Sequence, residues 1–118
     1  MTTILTGGVG KNEVAKAVTA LGLDGVQAVV SSDMDAAMKL RSGQADYFFG
    51  TCHTGAGASL GVLVGLMGQP ACHTFGRSVP TEEEVTALLA EGKKVFGFSM
   101  DQLEALVPLL ARAVAARA

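Results

Sequence analysis

The sequence predicts a three-layer, Rossmann-like α/β domain on a mainly parallel sheet of about five strands, a single domain over residues 1–118. Three observations carry that expectation. Short, nearly continuous apolar runs recur along the chain, as strands covered on both faces tend to read. Segments of helical period separate these runs, and a parallel neighbour needs such a crossover. Glycine, at 15 of 118 residues, falls mostly at the junctions between them.

The expected strands are Thr3–Thr6, Val26–Ser31, Tyr47–Thr51, Ala71–Phe75 and Lys94–Phe98, each short and rich in β-branched or aromatic residues. Lys11–Leu21 places Val14, Ala17, Val18 and Leu21 on one helical stripe and stops at Gly22. Asp33–Arg41 forms the next helix, starting near Ser32 and ending at Gly43; its Met34 and Met38, four apart, are expected to pack in the core. Asp46 is expected to serve structure, in the connection to the third strand. Thr81-Glu82-Glu83-Glu84 has the spacing of a capping box, and its acidic first turn suits the positive end of the helix dipole. That helix should run to about Glu91 and stop at Gly92. Ser99-x-x-Gln102 repeats the capping spacing ahead of a last amphipathic helix through Leu103, Leu106, Val107, Leu110 and Val114, in which Pro108 predicts a kink. The simple tail Ala111–Ala118 is expected to fray.

Composition narrows the function classes. An apolar fraction of 49% with 17% charged residues excludes an intrinsically disordered chain. A net charge of −2 and a pI near 5.6 give no basic surplus to neutralise phosphates, so no nucleic-acid partner is expected. Two cysteines make no disulfide scaffold. Met1-Thr2-Thr3-Ile4-Leu5 lacks the charged start of a secretory signal. The most apolar window, Ala56–Gly68, has 13 residues where a membrane span needs about 20. The expectation is a cytoplasmic protein without a membrane partner.

Ligands of open parallel sheets bind outside the carboxyl ends of the strands, and two loops there stand out. Thr6-Gly7-Gly8-Val9-Gly10-Lys11-Asn12 is a glycine-rich turn opening a helix. It could offer backbone N–H groups, with the Lys11 charge, to an anion, or it could merely turn tightly. Nucleotide motifs fail here: a Walker A loop needs glycine at Leu5 and Ser/Thr at Asn12, and a dinucleotide fingerprint needs glycine at Glu13. No cofactor is therefore expected.

The second loop is Gly50-Thr51-Cys52-His53-Thr54-Gly55-Ala56-Gly57-Ala58-Ser59-Leu60. Cys52 ends the third strand, and the chain then turns into a helix whose first N–H groups have no intrahelical partner. Such amides lower a thiol pKa and can hold a developing oxyanion, the minimum for enolising a carbonyl compound. The alternative is that Cys52 is a small packed hydrophobe and the glycines allow close approach. Cys52-His53 and Cys72-His73 could suggest zinc, but strand neighbours point to opposite faces and no chelating spacing is present, so no metal is expected. His73 is a candidate site wall, and Arg77, before a capped helix, a candidate anion contact.

Ser42-Gly43-Gln44-Ala45-Asp46, five residues, then Cys52-x-Thr54-Gly55-x-Gly57-x-Ser59-Leu60 resembles the core of the ribose-5-phosphate isomerase B and galactose-6-phosphate isomerase family, over 19 of 118 residues. The resemblance implies Cys52 as the base moving a proton between sugar carbons. It also implies Thr54 as its helper, and Gly55, Gly57 and Ser59 as the anion turn beside His53. Those isomerases carry an Asp-His pair after the first strand, where this chain reads Thr6-Gly7-Gly8.

Over nearly its whole length the chain is similar to the YhfU-like family of short bacterial proteins. The shared stretches are Asp33-Met34-x-Ala36-Ala37-Met38-Lys39, Ser42-Gly43-x-x-Asp46-Tyr47, Cys52-x-Thr54-Gly55-Ala56-Gly57-Ala58, Ala90-Glu91-Gly92-Lys93 and Phe96-Gly97. That resemblance implies genes placed beside transport and small-metabolite catabolism. The expected function is binding of a small anionic, sugar-phosphate-like metabolite at Gly7, Gly8, Gly10, Lys11 and the Cys52–Ser59 loop, with isomerase-like chemistry on Cys52. The alternative is a non-catalytic binding or accessory subunit. Exposed glycine-rich apolar faces, and sites shared across subunits in the isomerases it resembles, point to a homodimer.

Overall fold

The computed structural model describes residues 1–53 and 60–117. Strands and helices alternate as β1 (Thr2–Gly8), α1 (Lys11–Ala20), β2 (Val26–Val30), α2 (Asp33–Ser42), β3 (Tyr47–Cys52), α3 (Gly61–Met67), β4 (Cys72–Thr74), α4 (Glu82–Ala90), β5 (Val95–Ser99) and α5 (Leu103–Arg117). The strands form one all-parallel sheet in the order β2-β1-β3-β5-β4. The expected α/β class and strand count hold.

Side-chain alternation along the strands builds two cores. Ile4, Phe49, Phe96 and Phe98 pack with Val14 and Val18 of α1, Val85 and Leu89 of α4, and Leu106, Val107, Leu110 and Val114 of α5. Leu5, Phe48 and Val95 face the other way, onto Ala36, Ala37 and Leu40 of α2 and Leu60 and Leu63 by α3. Three helices thus cover one face and two the other.

Helix ends follow the sequence signals. Ser32 caps α2 by accepting from the Asp35 N–H, and Gly43, at φ 80°, closes it with its N–H on the Leu40 carbonyl. Thr81 caps α4 by accepting from the Glu84 N–H at 3.1 Å. The glutamate answers by accepting from the Thr81 hydroxyl at 3.3 Å. Asp46 is structural, as expected: its carboxylate accepts from the Thr3 N–H at 2.9 Å, holding β3 beside β1.

Three expectations are corrected. Met34 and Met38 are 55% and 63% exposed, because the stripe of α2 that meets the sheet is Ala36, Ala37 and Leu40. Val26–Ser31 looked covered on both faces, yet β2 is an edge strand with Val29 and Val30 exposed. Over residues 111–117 the tail does not fray: α5 continues past Pro108 to Arg117, since Ala111 and Val114 are buried against the sheet, while residue 118 lies outside the described residues.

Candidate functional site

At the carboxyl edge the chain reverses between β1 and β3. The crossover after β1 runs over the α1 face to β2, and the one after β3 runs over the α3 face in the opposite direction. In open parallel sheets the point where such crossovers diverge is where ligands bind.

Thr51 ties this edge together. Fully buried on β3, it accepts the Val9 N–H on its carbonyl at 3.2 Å and the Gly10 N–H on its hydroxyl at 2.7 Å. The hydroxyl in turn donates to the Gly7 carbonyl at 3.3 Å. Gly8 sits at φ +84°, and a Cβ there would run into the Thr51 backbone carbonyl. A Cβ on Gly10 would strike the Met100 sulfur, and one on Gly7 would lie 2.6 Å from the Phe48 ring. Backbone packing therefore demands Gly8, side-chain packing crowds any larger residue at Gly7 and Gly10, and the Val9 and Gly10 amides already have protein partners.

The N–H groups left for a ligand are those of the first turn of α1, at Lys11, Asn12 and Glu13. This helix starts from Gly10 with no side-chain cap, unlike α2 and α4. The Thr6 hydroxyl fixes its start by donating to the Lys11 carbonyl at 2.8 Å.

Cys52 ends β3, half-buried, in register with Ser99 of β5. Ser99 does not form the expected capping box with Gln102. It accepts from the Asp101 N–H at 3.3 Å, opening a 3-10 turn over Met100–Gln102, and donates to the His53 carbonyl at 3.2 Å. The buried hydroxyl is therefore used as a tether to the end of β3, and α5 begins only at Leu103. His53 is exposed. The expected Thr54, Gly55, Gly57 and Ser59 lie outside the described residues.

Alternation places Gly7, Cys52 and Ser99 on the α2–α3 side of the sheet. Asp33, the first residue of α2, stands there as well: its Oδ1 lies 3.2 Å from where a Gly7 Cβ would be. Burial pushes the Asp33 carboxyl above its ordinary range, and the nearby Lys11 ammonium opposes this. Sequence reading took Asp33 only as a helix start. The available signal was that Ser32 already fills the capping role, leaving a second polar residue directly after a strand.

The other candidates lie further off. His73 pairs with Phe96 on the α4 side of β4, its ring 4.7 Å from that of Phe75, so the fold separates it from Cys52. Burial and then the Lys93 ammonium hold its imidazole below the usual value. Arg77 follows β4 at the same sheet edge, exposed, with Nε 4.0 Å from an Asp101 oxygen. Cys72 is buried, its sulfur 3.6 Å from the Gly68 carbonyl, and burial raises its pKa. Among the described residues no group of three His, Cys, Asp or Glu could hold a metal, and no helix is long and apolar enough to cross a membrane.

Comparison with known proteins gives consistent results. The chain is similar to the uncharacterized protein YhfU of Escherichia coli (strain K12), with 33% identity over 105 residues covering 87% of this chain and 90% of that protein. The uncharacterized protein YhfU of Shigella flexneri matches at the same identity and coverage. A family described as "Protein of unknown function DUF2620" matches residues 2–114, almost the whole fold described above. The chain belongs to the DUF2620 family.

Proposed function

We propose that this protein binds a small anionic metabolite of the sugar-phosphate kind in the crevice between β1 and β3. Within that reading, Cys52 acts as the base for proton transfer next to a carbonyl. One observation carries it: α1 starts without a side-chain cap, as α3 does and α2 and α4 do not, and it alone of the uncapped pair has a cation, Lys11, at its first position. Such a terminus favours an anion through free N–H donors, helix dipole and side-chain charge together. Cys52 ends the neighbouring strand, half-buried, at the same edge of the sheet. Removal of a proton from carbon by the thiolate would give an enediolate; passage of the second carbon's hydroxyl proton to the first oxygen, and return of the carbon proton to the first carbon, would complete an aldose–ketose exchange. The glycine amides of the turn are not the donors in this reading; the first-turn amides of α1 are.

A second reading, a non-catalytic binding or accessory subunit, is favoured by Thr6-Gly7-Gly8 at the end of β1, which offers no acid–base side chain. Both readings include a homodimer. It is supported by apolar side chains exposed on the outer surface of the α2–α3 layer: Met34, Met38, Val62 and Leu66.

Thermal unfolding with added ribose 5-phosphate, and turnover assays with Cys52→Ala, separate the two. A ligand at 100 times its dissociation constant stabilises the fold by about 2.7 kcal/mol. Stabilisation of both proteins, with isomerisation lost in Cys52→Ala, supports catalysis. Stabilisation without turnover in either supports the binding subunit. Absence of any shift removes both.

A further inference from the structure

At the same sheet edge stands a carboxylate that the fold uses only as a first-turn acid of α2. Ser32 caps α2, and Asp35 pairs with Lys39 at 3.0 Å and accepts from the Ser31 hydroxyl at 3.2 Å. Asp33, between them, has neither role: among the described residues no donor bonds its side-chain oxygens. It is half-buried nonetheless, and its Oδ1 packs over Gly7 at a spacing that a methyl group on that residue would crowd. Partial burial disfavours its charge and its oxygens lack a hydrogen-bond donor among the described residues, so its placement asks for a reason beyond the helix start.

Its surroundings supply one. Asp33 faces the same side of the sheet edge as Cys52 and Ser99, with the Lys11 charge close enough to act on its titration. Glu13 is the other acid of the neighbouring helix turn, and it is exposed. A bare anion at the α1 terminus would meet the repulsion of Asp33. A ligand with a hydroxyl beside its anionic group would turn that repulsion into a charge-assisted hydrogen bond. We infer that Asp33 accepts a hydrogen bond from a ligand hydroxyl, so that the site selects a polyhydroxylated anion over a bare one. This rests on the anion site proposed above.

The test is calorimetric binding of inorganic phosphate and ribose 5-phosphate to the wild-type chain, Asp33→Ala and Asp33→Ser, with urea midpoints confirming that each variant folds. The serine variant keeps a short polar group at the first position of α2 and guards against loss of the helix start. The wild type should prefer ribose 5-phosphate by about tenfold to a hundredfold, the scale of one hydrogen bond to a charged group. Both variants should lose most of that preference while holding inorganic phosphate as tightly as before or more so. An undiminished preference in the folded variants overturns the role of Asp33. Equal binding of the two probes by the wild type also overturns it and leaves the anion site standing. Binding of neither probe overturns both.

Discussion

The Thr51 hydroxyl and the Gly10 amide, 41 residues apart in sequence, meet at 2.7 Å inside the protein. This bond joins the end of β3 to the residue from which α1 starts. The position of the uncapped helix terminus is thus set by the strand that carries Cys52, one residue further on.

Thr51→Val keeps the shape of the side chain and removes the hydroxyl. The buried Gly10 N–H then has no acceptor, so the variant should lose about 1–3 kcal/mol in urea unfolding. Thr51→Ser, which keeps the hydroxyl, should recover most of that loss. A valine variant as stable as the wild type would show that the hydroxyl does not hold the turn.

His73 gives a pH dependence with a definite sign. Burial first and Lys93 second depress its folded pKa below the ordinary 6.5, while Glu91 and Glu84 oppose them. The unfolded chain therefore takes up the proton more readily. The contribution is complete above the unfolded value and is lost as pH falls through it toward the folded one. Urea midpoints of the wild type should fall between about pH 7.5 and about pH 5.5, and His73→Gln should flatten that slope. Equal slopes in the two proteins would remove His73 as the source.

The outer surface of the α2–α3 layer tests the homodimer. Met34 and Met38 lie one turn apart on α2, and Val62 and Leu66 one turn apart on α3, at 38% and 36% exposure for the latter pair. Asp35 and Lys39 beside them have opposite signs at one-turn spacing, which is self-complementary across a two-fold axis. Sedimentation should give twice the chain mass for the wild type, and the single mass for Met38→Glu or Leu66→Glu with helical content retained. A stable dimer needs about 800 Å² from each copy, so one buried charge at its centre should be enough to dissociate it. A monomeric wild type at micromolar concentration ends the proposal.

The local features of the fold were legible because local chemistry makes them. The caps at Ser32 and Thr81 and the glycine stop at Gly43 lie where their spacing puts them. Features set by distant neighbours were not legible. Val29 and Val30 read as buried, and whether they are depends on which strand occupies the edge. Met34 and Met38 read as core because apolar residues four apart share a helix face, but three smaller or neighbouring side chains form the contact stripe. Ser99 was misread for the same reason: its hydroxyl donates to His53, 46 residues away, which no spacing near Gln102 reveals. At the proposed site, Cys52 drew attention through its loop. Asp33 did not, since its nearness to Gly7 shows only in the fold.

The insertion of β5 between β3 and β4 has a consequence for how the chain is made. The ribosome releases β1, β2 and β3 first, and β1 pairs with both of the others, so these three can assemble early. Among the described residues β4 pairs with β5 alone, and twenty residues separate the two. During that interval the segment carrying α3, β4 and α4 has no strand to join. The sheet is therefore completed by a later step, in which β5 pairs with β3 on one side and β4 on the other. A chain stopped before Val95 should expose the β3 edge to whatever strand is nearby.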